Sequence, residues 1–149
     1  MTLYELAQRF IGEVREESGP GRNSPFIVWC LESCGFDSTT PDEVAWCSAW
    51  LNRLCWILRL PRTKSARARS WLAIGVPTTL QNARPGDIVV LKRGDGVQPG
   101  PEVLDAPGHV GLFSGHDGNA VYVLGGNQGN TVSVVNFPIV RLLGIRRVT

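Results

Sequence analysis

Leu3, Leu6, Phe10 and Val14 recur at three- and four-residue intervals, the spacing of one helix face. Thr2 and Glu5 form a capping box in front of them, and Gly19-Pro20-Gly21 is expected to end the helix. A second helical stretch is predicted from about Pro25 to Cys34, closed by Gly35. A third carries Val44, Trp50, Leu51, Leu54 and Leu58, an apolar set broad enough for a buried helix. Ser65 to Leu72 reads as a shorter helix ending before Gly75. After Pro85-Gly86 the pattern shifts to β-branched runs. Strands are predicted at 87–92, 109–114, 120–124, 131–135 and 143–148. The segment 93–107, rich in Gly, Pro and Asp, is long for a simple connection, which points to a rim or lid. Helices first and antiparallel strands second make an α+β domain. No repeat or linker divides it, so residues 1–149 are expected to form a single domain.

Composition adds limits. A chain of 149 residues, 43% hydrophobic and 19% charged, can bury a real core and does not read as disordered. The net charge of +2 names no partner. Basic residues do cluster, as Arg59, Arg62, Lys64, Arg67 and Arg69, and again as Arg141, Arg146 and Arg147. Such clusters are more often solvated surface than binding sites, so no nucleic-acid partner is expected. Transient attraction to an anionic wall or membrane surface is the alternative they leave. Thr2 to Ser18 is amphipathic and acidic where a signal peptide needs a basic and then an apolar stretch. Synthesis in the cytoplasm is therefore expected. In that compartment Cys30, Cys34, Cys47 and Cys55 should be thiols. Cys30, Cys34 and Cys55 read as core residues at helical spacings.

Three side chains stand out chemically: Cys47 near a helix start, His109 in a strand-like run, and Asn127 after Gly125-Gly126, where the next strand ends. A thiol, an imidazole and an orienting polar group make up a cysteine-nucleophile constellation, if they meet in space. Where the third helix begins decides how far its dipole helps a thiolate. A start at Thr40-Pro41, with Glu43 completing a cap, leaves Cys47 nearly two turns inside. A start near Ala45 or Trp46 puts Cys47 at the favourable end. In the strand, alternation sets His109 and Gly111 on one face, and Gly111 would leave room for a substrate chain.

The order and contexts of these residues resemble the CHAP and NlpC-type branch of papain-like cysteine peptidases, in the small form found in phage endolysins. The resemblance runs through Asn23-Ser24-Pro25, Asp42-Glu43, Trp46-Cys47-Ser48-Ala49, Ala68-Arg69-Ser70-Trp71-Leu72 and Pro85-Gly86-Asp87. It continues in Gly108-His109-Val110-Gly111 and Leu124-Gly125-Gly126-Asn127-Gln128. The Trp-Cys-Ser-Ala and Gly-Gly-Asn-Gln strings are its most specific parts. It implies a papain-like fold, N-terminal helices packed on a C-terminal antiparallel sheet, with the third helix starting near Trp46. It assigns Cys47 as nucleophile, His109 as general base and Asn127 as orienting residue, with Trp46, Trp71 and Gln128 bordering the substrate. Many relatives carry a glutamate two residues before the asparagine, where this chain has Gly125. The calcium-binding acidic loop of some relatives has no counterpart near the N-terminus, and no metal or cofactor is expected.

By this resemblance the chain is a monomeric peptidoglycan hydrolase cutting an amide bond of the murein peptide stem. It would be made in a host cytoplasm and reach periplasmic murein through holin-type release. The alternatives are an interbacterial amidase toxin with the same triad, a wall-binding module without activity, or an interaction module with zinc on these cysteines and His109 or His116. The cysteine spacings match no standard zinc pattern.

Overall fold

The computed structural model describes residues 1–14, 24–37, 45–94 and 96–149. Helix α1 (Leu3–Gln8) opens with the Thr2–Glu5 capping box and buries Leu3, Leu6 and Ala7. Helix α2 (Pro25–Glu32) has Pro25 in its first turn and Ser24 as N-cap, its hydroxyl accepting from the Ile27 N–H. Gly35, with φ +90°, lets the chain turn away beyond it. Helix α3 (Cys47–Ile57) is buried nearly all round, from Cys47 to Cys55. The stretch Ala68–Ala73 is a 3-10 helix rather than an α-helix. The Thr40-Pro41 cap and the Gly19-Pro20-Gly21 stop lie outside the described residues.

Among the described residues six strands form one antiparallel sheet: β1 (Val76–Thr78), β2 (Ile88–Lys92), β3 (Gly108–His116), β4 (Ala120–Gly125), β5 (Ser133–Pro138) and β6 (Leu142–Arg147). Their order is β1-β6-β2-β3-β4-β5, so the last strand in sequence lies between β1 and β2. The pairing of β2 with β3 places Leu91 opposite His109.

Period-two alternation explains the continuous apolar run of β2. Ile88 and Val90 enter the core shared with the helices, together with Val110 and Leu112 of β3. Val89 and Leu91 enter a second core on the other face with Phe113, Val121, Val123 and Ile145, closed over by Leu80, Ala83 and Phe137. Strand β5 is at the edge and alternates inward and exposed positions, Val135 and Phe137 turning in. The chain is thus a mixed fold of helices on an antiparallel sheet, as the pattern predicted. Among the described residues no helix is long and apolar enough to cross a membrane.

Much of the basic charge has structural work. Arg69 is fully buried, and its guanidinium donates to the carbonyls of Pro99, Gly100, Val103 and Pro107. It thereby fixes the course of the loop between β2 and β3. Arg147 pairs with Asp87 at 2.6 Å, Arg146 donates to Leu72 O and Arg141 to Lys92 O. The two clusters seen in the sequence are therefore not a uniform solvated face.

Candidate active site

Cys47 is the first residue of α3, so the thiol stands at the positive end of the helix. This is the later of the two starts open in the sequence. No side chain caps the helix, because its N-cap position holds Trp46. The Ser48 backbone N–H of that first turn donates to the thiol. His109 enters from the start of β3, where the strand runs alongside α3.

The two side chains interact directly. Burial pushes the Cys47 thiol up. The hydrogen bond and positive charge of His109, with N–H donation from Val110 and Ser48, outweigh it and bring the thiol below its usual 9.0. Burial likewise pulls His109 down. Its hydrogen bond to Cys47, the thiolate charge and the hydrogen bond to Gln128 reverse this, and the imidazole ends above its usual 6.5. Each group stabilises the charged form of the other, which favours a thiolate–imidazolium pair. Both are nearly buried, at 3% and 8% exposure, so water screens the pair little.

The residue orienting His109 is Gln128. Its Oε1 lies 2.9 Å from His109 Nε2. Its Nε2 donates to Val123 O at 3.1 Å and Ser133 O at 2.7 Å, which fixes the amide orientation. An amide oxygen can only accept, so His109 carries its proton on Nε2 and leaves Nδ1 for the thiol. By the resemblance Asn127 takes this role and Gln128 borders the substrate. The structure reverses them: Asn127 has a left-handed φ of 57° in the turn after β4 and borders the cleft. The turn explains the exchange, because it points one of two adjacent polar side chains inward and the other along the rim.

Gly125 completes this arrangement. A Cβ there would lie 2.6 Å from Gln128 Oε1 and 3.4 Å from His109 Nε2. The Gln128 amide fills the space in front of position 125, where the resembling family often carries glutamate. Gly126 is constrained as well, since a Cβ would meet the Trp46 ring at 2.5 Å.

Two further expectations are corrected. Trp46 and Trp71 have no solvent exposure and do not border a substrate. Trp46 is a core residue beneath Gly126, its bulk filling the space the glycine leaves. Trp71 donates from its indole to Ser48 Oγ at 2.8 Å, and Ser48 donates to Ser65 O. Asn52, fully buried, ties the same group together by donating to Ser48 O and accepting from the Lys64 N–H. This network, which sequence reasoning missed, braces the first turn of α3 directly behind Cys47. Gly111 does not make room for substrate either, because a Cβ there would meet Val123 Cγ1 at 2.4 Å. It serves the close approach of β4.

Cys30 and Cys55 are fully buried, and burial pushes the Cys55 thiol up to about 12 and the Cys30 thiol higher still. Cys34 is also raised. Only Cys47 has the surroundings of a nucleophile. Among the described residues no three His, Cys, Asp or Glu side chains gather as a metal cage. In comparisons with known proteins, neither a family model nor a curated protein matches this chain.

Proposed function

We propose that the chain is a papain-like cysteine hydrolase that cuts an amide bond in the peptide stem of bacterial peptidoglycan. The observation carrying this reading is the Cys47–His109–Gln128 relay, with the thiol at the start of α3 bonded to His109 and the imidazole held by Gln128. Cys47 and His109 follow the chain order that the resemblance implies, and Gln128 stands where it had placed the neighbouring Asn127.

In this mechanism the Cys47 thiolate attacks the scissile carbonyl carbon and the carbonyl electrons move to oxygen. The Cys47 N–H at the helix start donates to that oxyanion. The tetrahedral adduct collapses to a thioester as the imidazolium transfers its Nδ1 proton to the leaving amine. Neutral His109 then takes a proton from water, the hydroxide attacks the thioester, and the acid product leaves with the thiolate restored. Gln128 holds the Nε2 proton throughout, so the ring cannot flip away.

The test is digestion of purified murein sacculi followed by mass spectrometry of the soluble fragments, with Cys47→Ala as control. A new amine and a new carboxyl end at one stem position, absent with Cys47→Ala, is the expected result. Unaltered sacculi after incubation with folded wild-type protein would overturn the reading.

A further inference from the structure

Beside His109 the surface opens into a cleft of about 270 Å³. That is below the ~300–1,000 Å³ of a site enclosing a whole small ligand, so it suits one residue of a longer chain. Arg93 and Arg141 stand at its edge, with Val135 and Phe137 as apolar wall and Asn127 at the rim. We propose that this cleft is a subsite for a carboxylate, carried on a short aliphatic stem by the residue next to the scissile amide. The murein reading supplies only the identity of the peptide that carries it.

Three observations support the assignment. Among the described residues no acidic side chain lines the cleft, and the one ion pair, Arg147–Asp87, involves neither arginine. The described lining therefore presents two positive charges and no negative one. Second, Arg141 is held in place: Nε and Nη2 donate to Lys92 O at 3.2 and 3.1 Å, and the guanidinium lies 5.0 Å from the Phe137 ring centre. A cation fixed by backbone and aromatic contacts has already lost the freedom that binding would otherwise cost. Arg93 is exposed, so its charge can meet an incoming anion.

Third, the subsite is coupled to the chemistry. The Arg93 charge opposes protonation of His109. A carboxylate neutralising Arg93 removes that opposition when substrate arrives and so favours the imidazolium that must protonate the leaving amine. Val135 and Phe137 would pack the methylene groups of the same side chain.

The test uses full-length Cys47→Ala protein, which binds without turnover, titrated by NMR of the His109 ring. The probes are a murein tripeptide with free carboxylates and the same tripeptide with every carboxylate converted to carboxamide. The free acid is expected to bind about fivefold or more tightly, the range for a charge-assisted contact discounted for exposure. Adding Arg93→Gln or Arg141→Gln should cut that preference to about twofold or less, while Arg59→Gln, far along the chain and exposed, should preserve it. Equal binding of the two probes, no binding of either, or equal loss of preference in all three variants would overturn the subsite. A wild-type protein that cleaves no murein yet keeps the preference would count against the hydrolase reading and still support the subsite.

Discussion

Gln128 accepts a hydrogen bond from His109 at 2.9 Å through an amide that is itself clamped by two backbone carbonyls, Val123 O and Ser133 O. The clamp converts a neutral side chain into a directional one. A carboxylate would stabilise imidazolium by charge, whereas this amide acts chiefly by holding one tautomer and one ring orientation.

Replacing Gln128 should therefore separate geometry from charge. Gln128→Ala is expected to lower the rate on murein by about 10- to 100-fold, as loss of an orienting partner does. Gln128→Glu restores an acceptor and adds charge, raising the His109 pKa further, so the alkaline limb of the pH–rate profile should move to higher pH. It also leaves Val123 O and Ser133 O without their donor, at about 2 kcal/mol of stability. Asn127→Ala should stay active and lose about 1 kcal/mol from its left-handed backbone, and Asn127→Gly should recover it. Inactive but folded Asn127→Gly would return the orienting role to that residue.

Gly125→Ala tests the space in front of the clamp. The new methyl group would displace the Gln128 amide from His109. Activity should fall towards the Gln128→Ala level, with a stability loss of about 2 kcal/mol or less as the amide leaves its carbonyl partners. A fully active Gly125→Ala protein would show the amide contact to be dispensable.

The pH dependence of thiol reactivity follows from the direction of each shift. Cys47 is lowered and His109 raised, so the ion pair exists above the first pKa and below the second. Iodoacetamide should alkylate Cys47 with a half-maximal rate below pH 9.0. In His109→Ala the burial cost is no longer offset by the imidazole, and the midpoint should rise instead. Cys30→Ala, Cys34→Ala and Cys55→Ala should keep this reactivity and activity on murein. Cys47→Ala should lose roughly 10⁴-fold or more in activity. An unshifted midpoint in His109→Ala would dissolve the pair.

Arg69 gives a stability test away from the chemistry. Arg69→Met would keep the packing volume and leave four loop carbonyls without their donor, costing about 3 kcal/mol. Limited proteolysis should then cut first within the segment 96–107. Wild-type resistance there would show that the loop is held by other contacts.

Helix and strand periods made the fold class legible: β2, β3, β4 and β6 fall within a residue or two of the expected runs, whereas β5 lies further along the chain than expected, ending at Pro138. Strand β1 was missed because Val-Pro-Thr is too short for a periodic signal, and it exists by pairing with β6. Cys47 and His109 were readable from residue type and context. The third member was not, since Asn127 and Gln128 are adjacent and both polar, and only the turn conformation decides which faces the imidazole. Trp46 and Trp71 failed for a related reason. An aromatic beside a nucleophile looks the same in sequence whether it lines a cleft or, like Trp71, braces a helix by one hydrogen bond. Arg69 shows the converse, a basic residue in a charged run that turns inward to satisfy backbone carbonyls.

The sheet order also governs when this site can come into being. Strand β2, on which β3 and its His109 rest, receives its second neighbour from β6, some fifty residues further along the chain. Closing a loop of that length must precede the reward of pairing, so the sheet is a late event in folding. During synthesis α3 and its thiol leave the ribosome well before the strand that completes the scaffold. A chain stalled short of β6 presents Cys47 on a partly formed body with β2 as a bare edge, open to pairing with other chains. The sheet around His109 is therefore complete only once β6 has joined it, and a molecule lacking β6 is prone to aggregate.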